Sequence, residues 1–179
     1  MAVIKPKNKN MSIDEIKIRA RKIKLMITDV DGVLTDNGVY YSGNGEELKR
    51  FSFRDGMGVE RLRKIASIET GIITREDSLP VSKRAEKLKI TELHMGVMDK
   101  GLRLQEIMDR IKISKDEIAY IGDDINDEEI MRQVGLCACP GDAMSFARRV
   151  AHYVCTTNGG HGAFREFAEL IINSKINSN

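Results

Sequence analysis

The sequence predicts an α/β fold in which a parallel sheet is flanked by helices. Apolar, β-branched runs alternate with helical patterns, an order typical of parallel strands joined by right-handed helical crossovers. The length of 179 residues suits one domain with a sizeable core. Polar clusters follow the ends of four predicted strands, which is the edge where open parallel sheets bind ligands.

The elements follow in order along the chain. Residues 1–11 are predicted to be a flexible tail, and residues 12–179 are predicted to form the single folded domain. Strand-like apolar runs are predicted at 25–28, 68–74, 92–94, 118–121, 136–139 and 152–155. Helices, placed by caps and periodicity, are predicted at about 12–22, 54–66, 78–88, 100–111, up to 134, 143–150 and from 163.

A projecting β-hairpin is predicted at about 38–53, where two strand-like runs flank Gly43-Asn-Gly45. Only 45 residues separate Asp29 from Thr74 (74 − 29), and 26 separate Thr74 from Lys100 (100 − 74). Neither gap can hold a cap domain of the usual size. Because an isolated hairpin is marginally stable, we expect this one to pack against another chain.

The composition, 41% hydrophobic and 31% charged, is typical of a soluble globular protein. No apolar run approaches the roughly 20 residues of a membrane span, and no secretory signal pattern is visible. Three cysteines, an odd number, fit a reduced compartment, so a cytoplasmic location is expected. The basic residues near the N-terminus lack interleaved aromatic residues, so neither nucleic acid nor membrane is expected as a partner.

Acidic residues cluster after two of the predicted strands. Asp29 and Asp31 follow the first strand, while Asp123, Asp124 and Asp127 follow the strand at 118–121. Carboxylates crowded near one point repel one another unless a cation binds between them. Hard oxygen ligands together with a phosphate select Mg²⁺, which is therefore the expected cofactor.

A hydroxyl and an amine complete this predicted set of polar side chains. Thr74 and Lys100 follow two other predicted strands, and they offer a hydroxyl donor and a positive charge for phosphate oxygens. Taken singly, Thr74 is explained as a strand-end cap and Lys100 as a solvated helix start. Taken together with the carboxylates, the set is chemically complete for phosphoryl transfer.

The motifs resemble, in type and order, the four motifs of the haloacid dehalogenase (HAD) superfamily. They are Asp29-Val-Asp-Gly, Thr74, Lys100 and Gly122-Asp-Asp-x-x-Asp127. The resemblance implies a Rossmann-like core and a phosphatase that works through an aspartyl-phosphate intermediate.

The same resemblance implies individual roles. Asp29 is the expected nucleophile, and Asp31 is the expected acid and base that exchanges a proton with the leaving group and then with water. Mg²⁺ would be held by the Asp29 carboxylate, the Asp31 backbone carbonyl and Asp123. Asp124 and Asp127 would be lesser ligands or would support the ligands.

Three further segments are distinctive: the hairpin, Phe53-Arg-Asp-Gly-Met-Gly58 and Gly159-Gly-His-Gly-Ala-Phe-Arg-Glu166. Together they resemble the capless 3-deoxy-D-manno-octulosonate 8-phosphate (KDO 8-phosphate) phosphatase group. This narrower resemblance implies a homotetramer with a central barrel of hairpins, and a C-terminal glycine-rich segment that can reach a neighbouring site.

Substrate contacts follow from this narrower resemblance. Arg54 and Arg84 are the candidates for a sugar-acid carboxylate, because a guanidinium pairs with it bidentately. The positions at which that group contacts substrate correspond to Ser52, Phe53, Arg54, Asp55, Gly56, Arg84 and Lys100.

The second motif departs from the octulosonate pattern. Thr74-Arg-Glu76 stands where those enzymes usually have Thr-Gly-Arg, and Glu76 with Lys87 resembles the phosphatases of nine-carbon acids. An anion in place of a cation changes selectivity, unless Glu76 only stabilises the start of a helix. The predicted substrate is therefore a 2-keto-3-deoxy sugar acid phosphate, either KDO 8-phosphate or a 2-keto-3-deoxynononate or N-acylneuraminate 9-phosphate.

Two other functional classes are also compatible with parts of the sequence. A receiver-type phospho-acceptor domain also uses aspartates, a hydroxyl and a lysine with Mg²⁺, but it places its acceptor on a middle strand and does not need a hairpin. A non-catalytic oligomerisation module, such as the phosphatase-like tail of cytidylyltransferases, would not need these side chains intact. Multiple turnovers of a sugar phosphate would exclude both.

Overall fold

The computed structural model describes residues 11–176 and has the predicted α/β architecture. Its strands are β1 (Leu25–Thr28), β2 (Val39–Ser42), β3 (Gly45–Lys49), β4 (Glu69–Ile73), β5 (Glu92–His94), β6 (Ile118–Ile121), β7 (Leu136–Cys139) and β8 (Tyr153–Val154). Its α-helices are α1 (Ile13–Ala20), α2 (Phe53–Ala66), α3 (Leu79–Leu88), α4 (Lys100–Ile111), α5 (Glu128–Gln133), α6 (Ser145–Val150) and α7 (Ala163–Ile176).

Six strands form one sheet in the order β5-β4-β1-β6-β7-β8, and every neighbouring pair is parallel. All residues of β1, β6 and β7 are buried, which explains why their sequences are continuously apolar. Helices α1, α2, α3 and α7 pack on one face, and α4, α5 and α6 pack on the other. The predicted parallel sheet flanked by helices is confirmed.

The sheet order explains where the polar clusters meet. Strand β1 lies between β4 and β6, so the carboxyl ends of these three strands are adjacent at one edge. The chain segments that leave this edge carry Asp29, Thr74 and Asp123. Three residues that are distant in sequence are therefore brought together by strand pairing alone.

The hairpin is a separate antiparallel pair, β2 with β3, and β2 is exposed along its whole length. It ends at Lys49 rather than at residue 53, because Phe53 already begins α2. The hydroxyl of Ser52 accepts a hydrogen bond from the Arg54 backbone N–H and so caps this helix. Between β1 and β4 the chain forms only the hairpin and α2, with no cap domain.

Other boundaries differ slightly from the prediction. The helix expected before residue 134 begins as a 3₁₀ turn at Ile125–Asp127 and continues as α5. A capping box formed by Ser114 and Glu117 begins a short 3₁₀ turn, Lys115–Glu117, for which no helix was predicted. Residues 1–10 of the predicted flexible tail lie outside the described residues. From residue 11 to 176, no helix combines the length and the apolar character needed to cross a membrane.

The C-terminal glycine-rich segment packs on the loop that follows β1 in the same chain. The Gly160 N–H donates a hydrogen bond to the Val33 carbonyl at 2.9 Å. A Cβ at Gly159 would lie 1.9 Å from the Gly32 carbonyl oxygen, so only glycine fits there. The expectation that this segment reaches a neighbouring site concerns an assembly and stays a prediction.

Candidate active site

Asp29 is the first residue after β1, and its side chain is buried. Its backbone N–H still donates to the Ile121 carbonyl at 3.0 Å, so the sheet itself fixes its position. Its Oδ1 accepts the Val30 N–H at 2.7 Å. Gly32 then turns the chain at φ +80°, and a Cβ there would lie 2.0 Å from Asp123 Oδ2. Glycine is required at this turn by both backbone conformation and space.

Lys100 is the first residue of α4, and its ammonium group is buried against two carboxylates. Its Nζ lies 3.0 Å from Asp29 Oδ2 and 2.6 Å from Asp127 Oδ1. Burial alone would lower the pKa of Lys100, but attraction to both carboxylates outweighs it and raises this pKa. Lys100 therefore carries a fixed positive charge beside the Asp29 carboxylate.

A second acidic pair meets Asp29 from the end of β6. Carboxylate oxygens of Asp29, Asp123 and Asp127 all lie within 4.8 Å of one another, and all three side chains are buried. Burial first, and then repulsion from Asp127, raise the pKa of Asp29 well above its ordinary value. The same two causes raise the pKa of Asp123 to about 7. Crowded, buried oxygen donors of this kind fit a divalent cation.

Asp127 has its oxygens occupied by donors from the protein. Oδ1 accepts hydrogen bonds from Lys100 Nζ and from the Tyr120 hydroxyl, both at 2.6 Å. Oδ2 accepts the backbone N–H of Asp123 at 2.9 Å and that of Asp124 at 3.3 Å. This arrangement favours Asp127 as a residue that orients Lys100 and the Asp123 loop, in line with the predicted supporting role.

Asp31 and Asp124 lie at the same pocket in less enclosed positions. Both Asp31 oxygens accept hydrogen bonds from Lys49 Nζ, at 2.7 and 2.8 Å. Asp124 Oδ1 accepts the Ile125 N–H at 2.6 Å and caps the following 3₁₀ turn. Asp124 therefore has a local structural role besides any contribution to a cation site.

The pocket itself has a volume of about 340 Å³ and opens at the carboxyl edge of the sheet. Thr74, buried one residue beyond β4, is held by its N–H, which donates to the His94 carbonyl at 2.9 Å. Glu76 follows at the rim. The predicted site residues that line this pocket are Asp29, Asp31, Thr74, Glu76, Asp123 and Asp124.

The predicted substrate residues form a different group, between the start of α2 and α3. Arg84 Nη2 donates to the Ser52 carbonyl at 2.8 Å, and a Cβ on Gly56 would lie 2.6 Å from the same nitrogen. Lys87 Nζ lies 5.7 Å from the centroid of the Phe53 ring, which is 81% exposed. None of these five residues lines the pocket around Asp29 in this single chain.

Two further members of that predicted group contact the C-terminal segment. Arg54 Nη1 donates to the His161 carbonyl at 3.5 Å. Asp55 is buried, and its Oδ1 accepts the Arg165 N–H at 3.0 Å. Asp55 thus caps the first turn of α7, a role for which the preceding Gly162 has no side chain.

A family comparison extends these observations. The family model for haloacid dehalogenase-like hydrolases matches residues 64–167. This range covers more than half of the chain and includes Thr74, Lys100 and the acidic cluster after β6.

The chain belongs to the haloacid dehalogenase-like hydrolase family.

Individual relatives of this HAD hydrolase belong to one group of phosphatases within the family. The 3-deoxy-D-manno-octulosonate 8-phosphate phosphatase KdsC of Yersinia pestis is 40% identical over 159 residues, covering 89% of this chain and 84% of the relative. KdsC of Escherichia coli K12 is 38% identical over 158 residues, covering 88% and 84%. The predicted resemblance to this phosphatase group, and the class of phosphoric monoester hydrolase, are confirmed.

Solved structures agree with the sequence relatives. The phosphatase of Moraxella catarrhalis, in complex with magnesium ion, phosphate ion and KDO, has a TM-score of 0.89 and 36% identity, covering 93% of this chain and 95% of that one. The cobalt-bound enzyme of Haemophilus influenzae has a TM-score of 0.85 and 34% identity, covering 89% and 93%. Divalent cations in these neighbours agree with the Mg²⁺ cofactor predicted for this HAD hydrolase.

Three contacts of this HAD site were not predicted from the sequence. Lys49 reads as a solvent-exposed residue of the hairpin, and Tyr120 reads as part of an apolar strand. Asn37 has φ +62°, a conformation that asparagine tolerates, and its Nδ2 donates to Asp123 Oδ2 at 3.3 Å. The turn-forming sequence around Asn37 was a usable signal, whereas the other two contacts depend on tertiary pairing.

Proposed function

We propose that this protein hydrolyses the 8-phosphate of 3-deoxy-D-manno-octulosonate 8-phosphate in a Mg²⁺-dependent reaction. The observation that carries the proposal is the Asp29–Lys100 pair, 3.0 Å apart, at the pocket edge of a chain 38–40% identical to KDO 8-phosphate phosphatases. A carboxylate nucleophile, a lysine and a cation-binding carboxylate form the minimum set for phosphoryl transfer by this route.

The first step transfers the phosphoryl group to the protein. An Asp29 carboxylate oxygen attacks phosphorus, and the bond from phosphorus to the sugar oxygen breaks with its electron pair on that oxygen. Asp31 donates a proton to the sugar oxygen, so the sugar acid leaves as an alcohol. Lys100 neutralises charge that would otherwise keep an anionic nucleophile from approaching a phosphate dianion.

The second step restores the enzyme. A water molecule attacks phosphorus and gives one proton to Asp31, which regenerates the acid for the next cycle. The bond between phosphorus and the Asp29 oxygen breaks, and inorganic phosphate leaves. Splitting one difficult displacement into two in this way is the advantage of covalent catalysis.

The Asp29 carboxylate, the Asp31 backbone carbonyl and Asp123 would hold the Mg²⁺. The cation supplies Lewis-acid polarisation of the phosphate oxygens when it is bound. Asp127 supports this arrangement by orienting the Asp123 backbone and Lys100. Thr74, at the end of β4, is the proposed hydroxyl donor to the phosphate.

One observation favours a second candidate, hydrolysis of a nine-carbon acid 9-phosphate. Glu76 lines the pocket, so an anion stands at the rim where the octulosonate enzymes usually have an arginine. Both substrate classes carry a carboxylate, so discrimination would come from the additional hydroxyl or amide group of the nine-carbon acids, from which the Glu76 carboxylate can accept a hydrogen bond.

A homotetramer is part of the proposal. The residues proposed to bind the sugar acid, from Ser52 to Gly56 with Arg84 and Lys87, lie outside the pocket of one chain. The hairpin exposes Tyr40, Tyr41 and Leu48, which are large apolar or aromatic side chains. Exposed apolar patches of this kind mark interaction sites. Light scattering is expected to report four chains, and Tyr41→Ser is expected to lower the measured mass.

Phosphate release from purified protein tests the substrate proposal. We expect multiple turnovers on KDO 8-phosphate, slower turnover on the two nine-carbon 9-phosphates, and loss of turnover after chelation with recovery on adding Mg²⁺. Preference for a nine-carbon ester would favour the second candidate. Stable phosphorylation without turnover would favour a receiver-type domain, and a protein inert with and without Mg²⁺ would favour an oligomerisation module.

A further inference from the structure

The end of the hairpin reaches the site through one buried lysine. Lys49 is the last residue of β3, and its side chain is only 2% exposed. Its Nζ donates hydrogen bonds to both carboxylate oxygens of Asp31, at 2.7 and 2.8 Å. Burial of an ammonium group is unfavourable unless partners compensate its charge, so this contact fixes the two side chains relative to each other.

Lys49 is also connected to the loop that follows β4. Its Nζ lies 3.4 Å from Oε2 of Glu46, and the other oxygen of Glu46 accepts a hydrogen bond from the Ser78 hydroxyl. Ser78 is buried and immediately precedes α3. A continuous polar network therefore runs from Asp31 through the hairpin to the start of α3.

The next residue, Arg50, anchors the hairpin in a different way. Its Nη1 donates to Asp36 Oδ2 at 3.0 Å and to the Gly160 carbonyl at 3.2 Å. Both basic side chains hold the base of the hairpin on the loop after β1, but of the two only Lys49 bonds to Asp31. Simple anchoring predicts similar effects when either side chain is removed, whereas orientation of Asp31 predicts a difference.

We propose that Lys49 is a positioning residue that holds the Asp31 carboxylate in the orientation needed to exchange a proton with the leaving oxygen, an inference that rests on the proposed phosphatase function. A free aspartate side chain rotates about two bonds, and two hydrogen bonds from one ammonium group remove that freedom. Because Lys49 belongs to the hairpin, the orientation of Asp31 depends on how the hairpin sits against the core.

Two phosphate esters separate this role from simple anchoring. The sugar oxygen of KDO 8-phosphate needs a proton when it leaves, whereas the phenolate of p-nitrophenyl phosphate does not. We expect Lys49→Met to lower kcat/KM on KDO 8-phosphate by about 10- to 100-fold and on p-nitrophenyl phosphate by less than about threefold, because kcat/KM reports the steps up to release of the leaving group and not the water step that both esters share. Lys49→Arg, which keeps the charge, should recover part of the loss.

Arg50→Met is the matched control. We expect it to lower kcat/KM on both esters by the same factor, less than about threefold. The ratio of the two kcat/KM values does not depend on the fraction of folded enzyme, because both esters meet the same molecules. If Lys49→Met does not accumulate as folded protein, the same ratio measured for Lys49→Arg is expected to change about three- to tenfold.

The outcomes are distinguishable. Equal losses on both esters, or a change of ratio no larger than that of Arg50→Met, would overturn the positioning role and leave the phosphatase function standing. Wild-type protein that hydrolyses neither ester would overturn the proposed function, and this inference with it.

Discussion

The residues proposed to act on the phosphate differ in burial from Phe53 and Lys87, which are proposed to recognise the sugar acid. Asp29 and Lys100 are about 4% and 3% exposed, and each is bonded to partners in the same chain. Phe53 is 81% exposed, and its Lys87 contact lies on the surface. A single chain therefore completes the phosphate end of the site and leaves the recognition end open.

The physical reason for the difference is desolvation. Buried charges are tolerated only when partners compensate them, so the geometry around Asp29 depends on its contacts with Lys100 and the Val30 N–H. Exposed cation–π contacts contribute only about 0.5–1 kcal/mol each, so the group around Phe53 can rearrange when another chain or a substrate covers it. Changes at the buried end should therefore alter rate, and changes at the open end should alter selectivity.

The largest expected effect comes from removing Asp29, the proposed nucleophile. Asp29→Asn keeps the shape of the side chain but not its charge, and we expect kcat on KDO 8-phosphate to fall by at least about 10⁴-fold. The matched control is Asp14→Asn, since the Asp14 side chain is 85% exposed. Substantial turnover by Asp29→Asn would contradict the assigned nucleophile.

The next effect concerns the buried cation. Lys100→Met should lower kcat about 10²- to 10³-fold, because it removes a fixed charge from the developing negative charge on the phosphate. Lys83→Met, at a lysine whose side chain is 70% exposed, is the control and should change kcat less than about twofold. If both variants behaved alike, Lys100 would be a structural partner of Asp127 and no more.

Asp55 tests the contrast between buried and exposed site residues, because it is one of the residues proposed to recognise the sugar acid and yet is buried. Burial raises the pKa of Asp55 from 3.8 to about 6, although the Arg165 N–H opposes this rise. For an acid whose pKa is raised by folding, stability is greatest below the unfolded pKa and falls as pH rises towards the folded value. The contribution of protonated Asp55 to the free energy of unfolding is therefore lost as the pH rises from about 4 to about 6.

Asp55→Asn cannot ionise but can still accept the Arg165 N–H. We expect the variant and the wild type to have similar free energies of unfolding below pH 4, and the variant to be more stable by about 2–3 kcal/mol above pH 6.5. Urea unfolding across this pH range measures the difference. Parallel pH profiles for the two proteins would mean that Asp55 is solvated as an ordinary surface carboxylate.

The smallest expected effect tests the open end. Glu76→Arg should shift the ratio of kcat/KM values towards KDO 8-phosphate and away from the nine-carbon 9-phosphates by about tenfold, because it reverses a charge at the pocket rim. Glu86→Arg changes the same residue type on the exposed surface of α3 and is the control. An unchanged ratio would leave Glu76 as a residue that only helps to begin that helix.

Much of the buried end was predictable because it depends on local pattern and sheet geometry. Apolar runs located β1, β4 and β6, and the rule that ligands bind beyond the carboxyl ends of parallel strands placed Asp29, Thr74 and Asp123 at one edge. The start of α4 at Lys100 followed from the Asp99 cap, whose Oδ1 accepts the Leu102 N–H at 2.8 Å. These features require only near neighbours and strand order.

Two of the unpredicted features, the Lys49–Asp31 contact and the role of Asp55, depend on long-range pairing. The Lys49–Asp31 contact joins the hairpin to the loop after β1, and the mostly polar sequence of β3, Gly-Glu-Glu-Leu-Lys, gives no sign that the Lys49 side chain is buried. The role of Asp55 as a cap for α7 involves a helix that begins more than 100 residues later. Periodicity and motif spacing carry no information on such partners, because they describe each segment separately.

The close packing of Gly159 on Gly32 has a consequence for how the protein is made. The turn that follows Asp29, the proposed nucleophile, packs against a segment that lies more than 120 residues further along the chain (159 − 32 = 127). A nascent chain still lacking that segment would have all four motifs but an unsupported turn. We therefore expect activity only once the ribosome has synthesised the glycine-rich segment, and a product cut short before residue 159 should be inert.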